Sequence, residues 1–358
     1  MGRHAFAIRS VARQAGVSEA TVDRVLHGRD GVRPATAARV RRAIADLERQ
    51  QAAFELGGTT LTIDLVMQSP RRFSSAVWSA FDEAIPTLRP ADVRVRPHLD
   101  ERVEPGEIAD VLRAIGRRGS DAVVLKAPDT DEVVDAVAEV AERGVPVFTM
   151  VTDLPTSRRT AYIGIDNRAA GATAAYLIDR WLPAHDPSTT PTVLVTLSSQ
   201  RFRGEEEREI GFRRTARTIA PDWRIVELVE TEGLDDTVTR QLGADTRRLD
   251  TVAGDGPVAA VYSIGGGNQG ILDTLADLDH WPEVFIAHDL DGDNLGLLTT
   301  GRISAVLHHD LRADAHRACH LALQARGNLP GRPTTEPAPV QVVTPYNIPP
   351  RYPGRAGR

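Results

Sequence analysis

The sequence has one cysteine, one lysine and no long apolar run. Cys319 stands alone in 358 residues, so no internal disulfide framework can form and a reducing compartment is expected. Lys126 is the only lysine, and arginine supplies the rest of the 43 basic residues. So strong a skew reads as genomic composition rather than functional choice. No apolar stretch approaches the ~20 residues of a membrane helix. The start, Met1 to Arg9, is broken by charge and lacks the apolar core of a signal peptide. A cytoplasmic protein without membrane contact is expected. No nucleophile elbow or phosphate-binding P-loop is present, and nothing pairs carboxylates for acid–base work. No enzyme is expected on these grounds.

The length is too great for one ordinary core, so two or three domains are expected. Net charge is −6, against a protein that coats nucleic acid uniformly. Residues 1–56 hold ten Arg against six Asp and Glu, a net of +4 that leaves −10 for the remainder. A basic head on an acidic body predicts that only the head meets phosphate.

Within the head, three short helical patterns follow one another. Val11, Ala12 and Ala15 make one apolar face, Val22, Val25 and Leu26 the second, and Val40, Ile44 and Leu47 the third. Gly16 permits the positive φ that ends the first helix. Val17 can plug the core from the turn, and Ser18 is a good N-cap for the second helix. A turn this tight between small residues is a helix-turn-helix signature. The constellation Ala15-Gly16-Val17-Ser18, Ala20-Thr21-Val22 and Arg24-Val25-Leu26 resembles the DNA-binding head of the lac repressor/galactose repressor family. A simple three-helix bundle without ligand is the alternative.

From Thr60 onwards, apolar strands alternate with amphipathic helices. Strands read at 61–67, 93–98, 122–125, 146–150, 161–165, 192–196, 225–229, 259–264, 284–287, 303–307 and 340–343. Helices read at 76–88, 108–117, 132–143, 169–181, 206–219, 238–249, 269–278 and 313–326. The alternation predicts parallel sheets covered on both faces. Eleven strands exceed one ordinary open sheet, so two Rossmann-like subdomains are expected behind the all-α head. Residues 183–191 read as a loop and 328–339 as a Pro-rich connector. Gly144 to Thr149, Tyr162 to Asn167 with Ala169 to Gly171, Arg208 to Phe212, Ile286 to Asp289 with Gly301 to Val306, and Val343 to Pro349 resemble the type I periplasmic sugar-binding protein fold. That fold also serves as effector domain in the lac repressor family. The resemblance implies chain crossings near Ile165, near Asp310 and in the connector. The expected layout is head 1–50, linker or shortened hinge 51–59, ligand-binding body 60–348 and tail 349–358. One subdomain takes about 60–164 plus 310–327, the other about 165–309 plus 338–348.

The resemblance implies a transcriptional regulator, a repressor, with double-stranded operator DNA, a carbohydrate-like effector and a second copy of itself as partners, and no cofactor. Family position makes Glu19, Ala20 and Arg24 base-reading residues. Arginine can read guanine bidentately, glutamate can accept from cytosine, and alanine can touch a thymine methyl. Ser18, Thr21, Arg33 and Thr36 fall at phosphate-contact positions. Asp23 and Arg33 replace the family's usual serines; Asp23 can bond a base amino group or restrain Arg24. The family's Tyr-x-Pro-Asn turn before the hinge is absent, which leaves Leu56 to act as a minor-groove wedge or to pack on the body. Effector contacts implied by the resemblance, or by position after strands, are Gln68, Phe73, Lys126, Asp153, Arg201 or Arg203, Asn268, Asp289 and His309. Lys126 beside one of those arginines would favour an acidic sugar or a sugar phosphate. Gly265 to Gly270 also matches GxGxxG between a strand and a helix, with Asp289 beyond, so an NAD-dependent oxidoreductase is an alternative, as is a non-regulatory sugar-binding protein. His316 and His320 lie one helical turn apart, but no activating Glu accompanies them and no metal is expected.

Overall fold

The computed structural model describes residues 6–183, 190–244 and 258–350, and the backbone alone over 48–56. The head is three helices, α1 (Ile8–Ala15), α2 (Glu19–Leu26) and α3 (Pro34–Leu56). Val11, Ala12, Ala15, Val22, Val40 and Ala43 are buried together, with Val17, Val25, Leu26, Ile44 and Leu47 packed against them. Gly16 closes α1 in the left-handed region at φ 62°. Ser18 caps α2, its Oγ accepting the Thr21 amide at 3.3 Å. The Arg33 carbonyl accepts the Thr36 and Ala37 amides, with Pro34 at the first helical position.

Helix α3 runs unbroken to Leu56, through most of the expected 51–59 linker. Residues 48–56 contain neither Gly nor Pro and are rich in Ala, Gln, Glu and Leu, all good helix formers. Gly57 and Gly58 follow, Gly58 at φ 89°, before the first strand. The Leu56 side chain lies outside the described residues, and with it the wedge expectation.

The body contains two sheets. The first consists of β1 (Thr60–Gln68), β2 (Asp92–Asp100), β3 (Ala122–Lys126), β4 (Val147–Met150) and β5 (Ala161–Ile163), parallel throughout in the order β2-β1-β3-β4-β5. The second consists of β6 (Thr192–Thr196), β7 (Arg224–Leu228), β8 (Val258–Ser263), β9 (Val284–His288), β10 (Ala305–His308) and β11 (Gln341–Val343). Its order is β11-β10-β9-β8-β6-β7, with only β11 antiparallel. Strand β3 is buried at every residue, as expected of a central parallel strand covered on both faces.

The covering helices are α4 (Arg71–Ala84), α5 (Pro105–Arg118), α6 (Asp131–Glu142), α7 (Asn167–Trp181), α8 (Arg203–Ile219), α9 (Asp235–Ala244), α10 (Asn268–Asp277), α11 (Gly292–Thr299) and α12 (Leu311–Ala325). Separate apolar clusters fill the two faces of each sheet. The chain passes between sheets after β5, before α12 and before β11. Ile165 and Ala338, on two of these passages, pair side by side, and the Ala338 amide donates to the Gly164 carbonyl at 2.8 Å.

Two helices depart from the sequence expectation. Helix α4 starts at Arg71, not Ala76, because Pro70 sets its entry and its carbonyl takes the Phe73 and Ser74 amides. Helix α11 is not among the expected helices; Asp291 caps it by accepting the Asn294 amide at 2.8 Å. The expected extension of α9 to residue 249 and most of the 183–191 loop lie outside the described residues.

Candidate functional site

Ligands of open α/β sheets sit beyond the strand carboxyl ends, where strand order reverses. That reversal lies between β1 and β3 in the first sheet and between β6 and β8 in the second. Both ends border one cavity of about 380 Å3, toward the lower end of the ~300–1,000 Å3 usual for small-molecule sites. Gln68, Lys126, Phe73 and Thr152 line it from the first sheet's side. Ser198, Phe202, Glu205, Arg208, Gly265, Asp289 and Asn294 do so from the second's. Five non-glycine residues have positive φ among those described, and Val151, Glu230, Glu232 and Asp289 of them line this cavity. Strained backbone held in place at one site is a signature of a functional cleft.

The inner wall is charged and apolar by turns. Lys126 is buried, its Nζ 4.0 Å from the centre of the Phe202 ring and bonded to the Gln68 carbonyl at 2.9 Å. Burial pushes it down to about 8, although Glu205 and Asp289 pull the other way. Burial raises Glu205, whose carboxylate accepts the Ser198 amide at 2.7 Å and the Ser198 hydroxyl. Arg208 lies on α8, buried, with Nε donating to Asn167 Oδ1 at 2.8 Å. Tyr162 and Val151 brace Asn167 in turn, as acceptors of its amide.

Asp289 is held in the left-handed region at φ 64° by Asn294, whose Nδ2 donates to the Asp289 carbonyl at 2.7 Å and the His288 carbonyl at 2.8 Å. Its carboxylate faces His309 Nε2 at 3.2 Å, with Asp314 3.6 Å from the other ring nitrogen. Burial works against the charge of both Asp289 and His309. Their mutual attraction prevails, so the carboxyl is lowered and the imidazole raised.

A strap crosses the cleft. Arg72, in the first turn of α4, donates Nε to Asp291 Oδ2 at 3.0 Å and Nη2 to the Gly233 carbonyl at 2.7 Å, both on the second sheet's side. Arg102 and Glu232 form a second cross-cleft pair at 2.8 Å, more exposed. Burial drives Asp291 up to about 6, although the Asn294 amide and Arg72 favour its charge.

The structure sorts the sequence candidates. Gln68, Phe73, Lys126, Arg201 and Asp289 line the cavity. His309 sits behind Asp289, stacked on Phe73 with ring centres 6.4 Å apart. Asn268 is a support rather than a lining residue, its Nδ2 bonding Asn294 Oδ1 at 2.6 Å. Asp153 is turned away into its own loop, engaged by Thr149, the Leu154 amide and Arg159. Arg203 pairs with Glu206 and Glu207 outside the cavity. Arg208, five residues beyond Arg203 along α8, lines the cavity as Arg201 does. Sequence reading missed Arg208, Glu205, Ser198, Phe202, Asn294, Arg72 and Asp291. Only Arg208 had a signal, as the first residue of a block that carried the fold resemblance.

The dinucleotide reading of Gly265 to Gly270 is overturned by what fills the glycines' space. A Cβ at Gly265 would lie 2.1 Å from the Ser198 amide, and one at Gly270 would lie 2.5 Å from the Asp235 carbonyl. The Asp235 carboxylate already takes the Gly270 amide at 3.0 Å, where a pyrophosphate would need the helix N-terminus. These glycines pack the protein on itself.

In the head, Glu19, Ala20 and Arg24 are exposed on α2. Arg24 carries no side-chain hydrogen bond or ion pair among the described residues. Asp23 does not restrain it; Asp23 pairs with Arg29 at 2.8 Å and His27 at 3.0 Å. The Ser18 and Thr21 hydroxyls lie 2.9 Å apart at the start of α2. Arg33 is exposed and Thr36 half-buried at the start of α3.

Among the described residues no helix is long and apolar enough to cross a membrane. Residues 7–48 match the bacterial regulatory proteins of the lacI family, and residues 71–328 match the periplasmic binding protein domain. Among curated proteins, none matches the chain. GanP, a glucose-galactose binding protein from Geobacillus stearothermophilus, is 19% identical with a TM-score of 0.67, covering 81% of this chain and 99% of its own. A solute binding protein from Burkholderia graminis, in complex with D-arabinose, is 18% identical with a TM-score of 0.68, over 82% and 97%. A candidate LacI transcriptional regulator from Bacteroides fragilis is 16% identical with a TM-score of 0.67, over 81% and 98%. At these identities the likeness establishes the fold of the body.

Proposed function

The chain belongs to the lacI family of bacterial regulatory proteins, with a periplasmic binding protein domain as its body, and we propose from that membership that it is a transcriptional repressor whose operator affinity is set by a small sugar, polyol or sugar acid. Both parts are of binding and regulatory classes, not enzymes. The observation that carries the effector reading is the cleft itself. Two strand-order reversals supply buried polar groups and aromatic walls around one small cavity, and polyols need that combination of fixed hydrogen-bond partners and apolar surface. The solved relatives named for glucose, galactose and arabinose support a carbohydrate in that place.

At the head, Arg24 with Glu19 and Ala20 would read base edges in the major groove, while Ser18, Thr21, Arg33 and Thr36 would hold phosphates. Two copies would present two heads to a pseudo-palindromic operator in the cytoplasm. Effector closure of the cleft would change the relative placement of the heads. Mobility shift with the protein's own promoter region tests this. A specific shift is expected, altered by compounds that raise the protein's melting temperature; no specific complex at moderate salt would refute the regulator.

A further inference from the structure

The innermost cleft holds two cations, some of whose donors have no acceptor among the described residues. Lys126 is 8% exposed and Arg208 3%. The Lys126 ammonium has three donors and makes a single hydrogen bond among the described residues, to the Gln68 carbonyl. Ring faces of Phe202 and, further off, Phe73 favour its charge without accepting its protons. Arg208 uses Nε on Asn167 and Nη1 on the Ile264 carbonyl at 3.5 Å, while its Nη2 is buried with no partner among the described residues. Cations buried without full pairing are costly unless something supplies the acceptor.

The neighbouring carboxyls are engaged. Glu205 takes the Ser198 amide and hydroxyl, and its burial favours the protonated form. Asp289 is matched by His309, itself braced by Asp314. At the mouth, Glu232 is held by Arg102, and Glu104 with Glu107 forms the capping box of α5. At the cavity floor Lys126 and Arg208 thus keep donors that have no acceptor among the described residues. Gln68 Oε1 is buried with no donor beside it.

We infer that the effector is an anionic polyol, its carboxylate or phosphate received by Lys126 with Arg208 behind it and its hydroxyls by Gln68 and Asp289. This rests on the effector-cleft reading above. The groups acting electrostatically on Lys126 are Glu205, Asp289 and Arg208. With burial they leave the ammonium titrating at about 8. Affinity for an anion is full while Lys126 is protonated, below that pH, and falls above it by at most about tenfold per pH unit.

The test is thermal shift and calorimetry on the full chain with matched pairs: D-gluconate and D-glucitol, D-glucuronate and D-glucose, with D-glucose 6-phosphate as the phosphate arm. At pH 7 at least one anion is expected to bind, roughly tenfold or more tighter than its neutral partner, with affinity declining between pH 8 and 9. Lys126→Met should erase the preference, and Lys126→Arg should keep it while losing the alkaline decline; the wild-type pH profile stands even if a variant misfolds. Neutral partners binding as well as the anions, no binding by any anion, or a flat profile to pH 9 would overturn the inference. A neutral sugar that binds and alters operator affinity would remove the anion while leaving the regulator. An anion that binds with no operator complex would do the reverse.

Discussion

Arg72 is the residue that straps the cleft. Its guanidinium spans the cleft against Gly266, where a Cβ would lie 2.2 Å from Arg72 Nη2. The strap's strength depends on Asp291. Burial raises that carboxyl to about 6, so the ion pair is present above that pH and is lost as pH falls through it. Arg72 lowers the Asp291 carboxyl, so if opening the cleft removes that partner, an effector affinity that depends on closure should drop between pH 7 and pH 5. In Asp291→Asn, which retains the cap of α11, affinity should be lower at pH 7 and flat over the same range; calorimetry reads both. At the other end of the chain, Arg24, with no side-chain partner among the described residues, would be free to read a base. Arg24→Ala should cost about 1–3 kcal/mol of operator binding and relax selectivity at one base position. Arg33→Ala should weaken operator and random DNA alike, reducing the log–log salt slope by about 0.9. Equal selectivity of Arg24→Ala and wild type in competition binding would show the recognition helix to be docked differently.

Helices α7 and α8 set the position of Arg208. A Cβ on Gly171 would lie 1.8 Å from the Arg208 carbonyl, and one on Gly211 would lie 2.1 Å from the Arg168 carbonyl. The two helices therefore touch backbone to backbone, which brings Asn167 of α7 to Arg208 of α8. Gly211→Val should separate them, costing about 1–3 kcal/mol or more of stability by overpacking. It should also weaken effector binding more than a distant surface substitution of equal stability cost, which denaturation and calorimetry together can show. Helix α10 makes the converse point. Its N-terminus carries a nucleotide-like glycine pattern but is capped internally by Asp235. NADH should neither change its fluorescence nor raise the melting temperature. A pattern of glycines licenses close backbone approach, and the tertiary partner decides whether ligand or protein makes it.

For the whole molecule, three passages between the sheets would let the proposed closure hinge on a few loop residues. A coupling of about 1–3 kcal/mol between cleft and head, equivalent to a 5–150-fold change in operator affinity, would suffice for regulation. Titrating operator at zero and saturating effector measures it directly, and a ratio of one would refute the coupling. The continuous α3 bears on how that coupling travels. It runs from the head core to Leu56, four residues before β1 begins at Thr60, so most of the stretch that reads as a short helix extension or linker is regular helix.

The three head helices, the alternation of strands and helices, and two Rossmann-like sheets were legible in the sequence because each rests on local hydrophobic periodicity. The cleft positions of Gln68, Lys126 and Asp289 were legible for the same reason: each ends or follows an apolar run whose carboxyl end borders the cavity. Arg208 in place of Arg203 was not, since the phase of α8 is set by the Gly171–Gly211 crossing. Nor was the turning away of Asp153 towards Arg159, the support of Asn294 by Asn268, or the strap from Arg72 to a carboxylate 219 residues further on. Strand ends and helix faces follow from neighbours in the chain. Which side chains meet across a cleft follows from long-range packing, and that was settled only when both sheets closed around one cavity.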